Sequence, residues 1–374
     1  MTQQPISIIG AGIGGLTLAR CLLKHGIPSV LYERMPTAPR HNYGITLHAS
    51  SYRPLLKVLE LDEPTVKRQI AVDGSTGELN PKAMIMKEGI GATSFRANRE
   101  KLESLLKEGL DVRWEHALEK IEEAPSGSGM LLCLQSGQRI ESRCVMGADG
   151  PHSTTRKSLA PETALHVLPF VALSGKRRVQ RVLFDAVYAA GMQKSNVVEM
   201  KTGVAVLKVA VDDKSEDLVS LSWVYSRPAR GPDDPLHKPN RPKEAATDIP
   251  EEFLQEIAVL RDLEQPFAEV FDVEALRKDR VLHWLMRRAL MGLHDLQMLG
   301  RKGVFFLGDS VHAEPILGGE GANVAIKDGV ELAECILRNG VEGIGKWYDQ
   351  RYKAWLTGLE RSEKSIIKMH DKQR

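Results

Sequence analysis

Ile6-Ser7-Ile8-Ile9-Gly10-Ala11-Gly12-Ile13-Gly14-Gly15 is the stretch on which the fold turns. A short β-favouring run meets G-x-G-x-x-G at Gly10, Gly12 and Gly15, after which Leu16, Ala19, Leu22 and Leu23 recur at helical spacing until Gly26 stops the helix. Ser29 to Glu33 reads as the next strand, so the opening is a βαβ unit. Glycines at such a strand-to-helix turn let the backbone approach a pyrophosphate, and the helix dipole attracts it. Glu33 lies 23 residues after Gly10, near the spacing of roughly 20 at which an acid meets an adenosine ribose. Arg34 beside it suits an NADP phosphate as well as the surroundings of an FAD adenine. The opening therefore predicts a dinucleotide without deciding which.

Beyond this unit, Thr46 to Leu61 is apolar-periodic and predicts a helix, as does Asn98 to Leu110 with Asn98 as its cap. Between about Pro169 and Tyr225 the character changes. Arg181 to Phe184, Gly203 to Val211 and Leu218 to Tyr225 are rich in Val, Leu and Phe and predict strands of a second lobe. Arg227 to Pro250 carries six prolines and many charges, so it predicts an exposed excursion. After helical segments from Glu251, a strand returns at Val304 to Leu307. A Gly-rich turn follows, then a helix with Ala322, Ile326, Val330, Ala333 and Leu337 on one face. Trp347, Tyr348, Tyr352 and Trp355 on a last helix read as core packing.

Two distant motifs choose between the dinucleotides. Gly147-Ala148-Asp149-Gly150-Pro151-His152-Ser153-Thr154-Thr155-Arg156 holds D-G-x-x-S-x-x-R after the apolar strand Cys144 to Met146. Gly308-Asp309-Ser310-Val311-His312 continues through Pro315 to Gly318-Gly319-Glu320-Gly321-Ala322-Asn323. With the N-terminal glycines, these resemble the signature motifs of the FAD-dependent aromatic hydroxylases, the group A flavoprotein monooxygenases whose type member acts on 4-hydroxybenzoate. In appearance the chain is closest to salicylate hydroxylase-like and fungal natural-product monooxygenases. It departs from them at Ile316, where many relatives have a second proline, and at Glu320 between two glycines.

The resemblance implies an α/β fold: a discontinuous Rossmann-like FAD-binding domain of the GR2 type, an interleaved mixed β-sheet substrate domain, and a C-terminal helix. We assign 1–70, 98–165 and 280–374 to the first and 71–97 with 166–279 to the second. Gly10, Gly12, Gly15, Glu33, Arg34, Gly44, Arg99, Asp149, Asp309, Gly321, Ala322 and Asn323 are the expected cofactor-binding residues. Asp309 at a strand end is an acceptor-only group for a ribityl or ribose hydroxyl. Gly321 to Asn323 open a helix whose free N–H groups suit the flavin N1–C2=O edge, where negative charge develops. Arg99 in Arg99-Glu-Lys-Leu102-Glu-Ser-Leu105 resembles the family's R-x-x-L-x-x-x-L helix, whose arginine contacts FAD; Gly44 resembles the turn that lies against the flavin.

The implied reaction is that NAD(P)H, a transient visitor, reduces bound FAD, dioxygen adds at C4a, and the flavin hydroperoxide delivers oxygen to a small electron-rich substrate. The product of such a step is a hydroxylated or epoxidised aromatic or natural product. No catalytic side chain is assigned, though Arg177, Arg178, Arg181, Tyr188 and Tyr225 are polar candidates for activating a phenol. A flavin-dependent halogenase is the nearest rival, and the W-x-W-x-I-P segment of that group is absent. A non-catalytic binding protein on this fold, like the Rab escort and dissociation-inhibitor proteins, would not need the Gly308-Asp309 and Gly321-Ala322-Asn323 features.

Composition agrees. At 374 residues the chain exceeds the roughly 250–300 at which single cores stop growing, which predicts two packed lobes. A formal charge of +2 gives no field for nucleic acid or anionic lipid. The four cysteines, at 21, 133, 144 and 335, have no metal-ligand spacing, so no metal is expected, and reduced thiols suit the cytoplasm. No signal peptide or membrane-length apolar run is present.

Overall fold

The computed structural model describes residues 4–37, 42–77, 79, 94–242 and 244–371. It begins with β1 (Ile6–Ile9), α1 (Ile13–Lys24) and β2 (Ser29–Tyr32). β3 (Gly44–Leu47) leads into α2 (Ala49–Leu59) and α3 (Glu63–Ile70), and β4 (Phe95–Asn98) into α4 (Arg99–Lys107) and β5 (Val112–Arg113). A meander of β6 (Leu118–Glu123), β7 (Met130–Leu134) and β8 (Arg139–Ser142) precedes β9 (Val145–Gly147) and α5 (Thr154–Leu159). The middle of the chain supplies β10 (His166–Gln180), α6 (Arg181–Leu183), α7 (Ala189–Met192), β11 (Val197–Thr202), β12 (Ala205–Lys214) and β13 (Leu218–Pro228). Three short helices, α8 (Glu251–Ala258), α9 (Phe267–Val270) and α10 (Val273–Leu276), separate these from β14 (Arg280–Leu290). The chain then runs through α11 (Leu293–Arg301), β15 (Val304–Phe306), β16 (His312–Ala313), α12 (Gly321–Asn339) and α13 (Ile344–His370). Residues 78 and 80–93, within the segment assigned above to the substrate domain, lie outside the described residues.

Two sheets organise these elements. The first is parallel, in the order β15-β9-β1-β2-β5. Its strands are apolar almost throughout, as a sheet covered by helices on both faces requires, with Ile8, Leu31, Val145, Met146, Val304 and Phe306 buried. Because β15 arrives from far down the chain to flank β9, this unit is discontinuous. α1 and α12 cross closely, and a Cβ on Gly329 would sit 2.9 Å from the Leu18 backbone nitrogen.

The second sheet runs β11-β12-β13-β10-β14-β16, with every described pair antiparallel. One face carries Leu173, Leu207, Val209, Leu221, Trp223 and Tyr225 under Phe253, Leu254 and Ile257 of α8. The opposite face presents Phe170, Ala172, Val206 and Met286 to Ile366 and Met369 of α13. The β14–β16 pair, with Leu290 opposite His312, joins this sheet to the Asp309 motif. This is the α/β architecture expected from the sequence.

Local expectations differ in four places. Arg181 to Phe184 is helical, and its signal was the four-residue spacing that stacks Phe184 on Tyr188 at 5.8 Å. Thr46 ends in β3 rather than a helix, with the helix starting at Ala49. Arg227 is part of β13 and buried, held by Asp234 at 2.5 Å and Glu256 at 2.8 Å, and Leu236 is buried too, so the proline-rich excursion is pinned at its start. Leu337 is 48% exposed, because Ala333 and Ile336 fill the buried positions of that turn.

Candidate active site

The Gly-rich turn contains glycines of different kinds. Gly10 has φ +103°, and a Cβ there would lie 2.5 Å from the Ala148 carbonyl oxygen beyond β9. A Cβ on Gly15 would meet the Gly10 carbonyl oxygen at 2.2 Å, so α1 sits directly on the end of β1. Gly12 is open, for its Cβ position meets nothing nearer than Arg99 Nη2 at 4.0 Å. Neither a capping side chain nor an acidic residue occupies the first turn of α1, which leaves N–H donors facing outward. Glu33, at the end of β2, accepts from Ala11 N at 2.8 Å and Met35 N at 3.0 Å, which fixes its carboxylate against the same turn. Arg34 beside it is exposed.

Arg99 opens α4. Asn98 caps that helix, accepting from Lys101 N at 3.0 Å, as the sequence predicted. The Arg99 guanidinium reaches Glu103 at 2.8 Å, donates to the Tyr43 hydroxyl and lies 5.4 Å from the Tyr43 ring centroid. Burial alone would ease its proton off, and Tyr43 and Glu103 outweigh burial and hold it on more firmly than usual. A permanent cation thus stands over the open side of Gly12.

The two later motifs are joined by Arg156, which donates to the carbonyls of Ser310 at 2.6 Å and Pro151. Asp149 lies behind this junction, since its carboxylate accepts from Ser153 and from Thr155 N at 2.9 Å and so shapes the start of α5. Asp309 faces α12, with Oδ1 3.6 Å from where a Gly321 Cβ would stand. Burial raises its proton affinity, against the pull of His312 and Arg99. Gly321 and Ala322 begin α12 with no side-chain cap. Asn323 is a clamp: it donates to Thr46 O at 3.0 Å and accepts from His48 N at 2.9 Å and Ser51 Oγ at 2.5 Å. Gly44 donates to Asp212 Oδ1 at 2.7 Å.

The structure therefore brings Gly12 to Arg99, Asp309 to Gly321, and Asn323 to the Gly44–Leu47 strand, while Asp149 and Arg34 stand outside this line. Sequence reasoning missed Asp328, buried under Gly308: it accepts from Gly308 N at 3.0 Å, Arg351 at 2.8 Å and Trp355 Nε1 at 3.0 Å, and pairs with His312 at 2.5 Å. Burial opposes its charge, but His312 and Arg351 outweigh it and hold the Asp328 carboxyl down to about 2. His312 is thus part of the support of the motif. Its partner lies 16 residues on, a spacing that local pattern does not flag. Arg96 and Asp212 were also missed, since only strand pairing across the two sheets makes them neighbours.

A dinucleotide flavin fits this set. Two uncapped helix N-termini offer donors, Gly12 leaves room for a phosphate, Arg99 adds charge, and Asp309 offers an acceptor. The family described as FAD binding domain matches residues 3–173 and 293–343. The chain is 33% identical to the FAD-dependent monooxygenase nscC of Aspergillus fumigatus, over 99% of this chain and 96% of that protein. The chain belongs to the FAD-dependent monooxygenases.

It is also 32% identical to the FAD-dependent monooxygenase aptC of Emericella nidulans, over 98% of this chain and 95% of the relative. In fold the monooxygenase is similar to 2,6-dihydroxypyridine-3-hydroxylase from Arthrobacter nicotinovorans, with a TM-score of 0.72 at 17% identity, covering 99% of this chain and 93% of the other. FAD is its cofactor. Among the described residues no helix is long and apolar enough to cross a membrane.

The structure places the polar candidates of the middle segment in ion pairs, in hydrogen bonds or at the surface. Arg177 pairs with Asp279 at 2.9 Å and Glu269 at 3.0 Å, Tyr188 bonds Glu269, and Tyr225 donates to Glu256 at 2.6 Å. Arg177 and Tyr225 lie on the face covered by helices, where charges in a packed layer must be paired. Arg181 pairs with Asp185, exposed, and Arg178 is exposed at the end of β10.

Proposed function

We propose that this monooxygenase uses NAD(P)H and dioxygen to hydroxylate or epoxidise an electron-rich aromatic or natural-product substrate. One observation supports the substrate side: the β14–β16 pair brings the second sheet against the Asp309 motif, which makes that sheet the wall nearest the proposed flavin. The fold neighbour 2,6-dihydroxypyridine-3-hydroxylase is named for an aromatic substrate, which supports the aromatic class here. A protein wall at that place would keep water from the reacting atoms.

FAD supplies the electron transfer and oxygen activation when bound. The chain's own residues bind and orient. In this reading the α1 N–H groups behind Gly10, Gly12 and Gly15 receive the pyrophosphate and Arg99 adds its charge. Glu33 takes the adenosine ribose, and Asp309 accepts from the ribityl chain. The N-terminus of α12 at Gly321, Ala322 and Asn323 meets the ring edge where negative charge develops. Asp149 serves by shaping its turn, and Arg34 lies at the adenosine periphery. The segments 1–70, 98–165 and 280–374 bind the cofactor, 71–97 and 166–279 the substrate, and the enzyme works in the cytoplasm.

The test is to purify the protein and follow NADPH and NADH oxidation together with oxygen uptake across phenols, indoles and polyketide-like aromatics. Oxidation stimulated by one class, with an oxygenated product, is expected. Oxygen uptake that no aromatic stimulates, with all the oxygen released as peroxide, would defeat the substrate assignment.

A further inference from the structure

β3 and β4 pair antiparallel, Gly44 opposite Asn98 and Thr46 opposite Arg96, so these four residues share one face. That face meets the second sheet: Asn98 donates to the Asp212 carbonyl at 2.8 Å, and Gly44 to the Asp212 carboxylate. The Arg96 guanidinium lies directly over Gly44, where a Cβ would stand 2.5 Å from Arg96 Nε and 2.9 Å from its Cζ. Arginine brings five N–H donors. Among the described residues its one ion contact is Nη2 to Asp212 Oδ1 at 3.7 Å, too long for a hydrogen bond. That oxygen already accepts from Gly44 N and, at 2.9 Å, from Ser222. Arg96 Nε is buried without a partner among the described residues, and the side chain is only 10% exposed. A guanidinium so buried and so little bonded is strongly unfavourable unless an acceptor arrives.

The strand beneath it points to the acceptor. Gly44–Leu47 is tied through Asn323 to the first turn of α12, the helix end that the proposed function gives to the flavin ring. We propose that Arg96 is a positioning residue for the flavin, donating to oxygen or nitrogen acceptors on the ring edge nearest Gly44. The inference rests on that placement of the ring. A cation on this edge holds the ring against Gly44 and favours its reduced, more negative form. Gly44 is then glycine because the arginine passes over it.

The test uses full-length Arg96→Gln and Arg96→Lys proteins. FAD affinity is read by titrating the deflavinated protein, and the flavin midpoint potential by reduction against a reference dye. Arg96→Gln should weaken FAD binding on the order of tenfold, as for loss of a charged hydrogen bond, and make the potential more negative. Arg96→Lys should recover part of both. Unchanged affinity and potential would overturn the inference, as would a rise in substrate KM alone, which would make Arg96 a substrate anchor. A fall in the melting temperature of the apoprotein with an unaltered potential would reduce it to a structural ion pair. Asp309→Ala separates the two readings: if it weakens FAD binding and Arg96→Gln does not, only this inference fails. If neither weakens it, the placement of the ring fails as well.

Discussion

Glu314 is 9% exposed, and its Oε2 is buried without a hydrogen-bond partner among the described residues. Burial raises its proton affinity, His312 and Arg361 oppose the rise, and Glu320 and Asp309 add to it, leaving the carboxyl at about 7. A carboxyl raised in the folded state binds its proton more tightly there than in the unfolded chain. Its contribution to stability is therefore full below the ordinary glutamate range and lost as pH rises toward 7. The shift corresponds to about 3 kcal/mol between those limits. Glu314→Gln should flatten the stability curve between roughly pH 4.5 and 7 and should stabilise the protein at pH 8, by up to about 3 kcal/mol. Urea unfolding of both proteins across that range is the measurement, and parallel curves would show that the carboxyl is not protonated in the fold.

At the scale of elements, the β1–α1 turn separates packing from binding. Gly15→Ala puts a Cβ 2.2 Å from the Gly10 carbonyl oxygen, so α1 must lift from β1. Overpacking of this kind costs about 1–3 kcal/mol, and the apoprotein itself should melt earlier. Gly12→Ala meets nothing within 4.0 Å but Arg99 Nη2, and the glycine has φ −82°, which alanine adopts freely. Its apoprotein should melt like the parent while FAD binding weakens at least tenfold, because the methyl group occupies the phosphate approach. If Gly12→Ala binds FAD normally, the pyrophosphate does not pass there. The same contrast shows what the sequence could reveal. The βαβ opening, the Asn98 cap and the two motif turns are set by neighbours within a few residues, and they were legible. Arg181 to Phe184 was misread because composition spoke for a strand while the Phe184–Tyr188 spacing spoke for a helix. Arg96 over Gly44 and Asp212 beneath both depend on the register of two separate strand pairings, which no local pattern encodes.

Across the whole molecule, the proposed cofactor-binding line is assembled from segments far apart in sequence: the β1–α1 turn, β3, the start of α4, and the stretch from Asp309 into α12. Along it β3 is held by hydrogen bonds, Asn323 to Thr46 and Gly44 to Asp212, while α1 and α12 pack directly on each other. The large apolar clusters lie behind it, one around the parallel sheet and one under α8 on the far side of the second sheet. FAD bound across every segment of this line would add contacts between them, and a ligand bound only by the folded form stabilises it by mass action. At free FAD a hundredfold above its Kd the gain is about 2.7 kcal/mol. The deflavinated protein should therefore melt several degrees below the holoprotein. The β3–α2 turn should be cut faster by protease and exchange amide hydrogens sooner, while β1, β9 and β15 keep their protection until global unfolding. Re-adding FAD should restore both. Uniform loss of protection would mean that the cofactor supports the core itself, and no loss at the β3–α2 turn would mean that Asn323 alone is enough to hold it against α12.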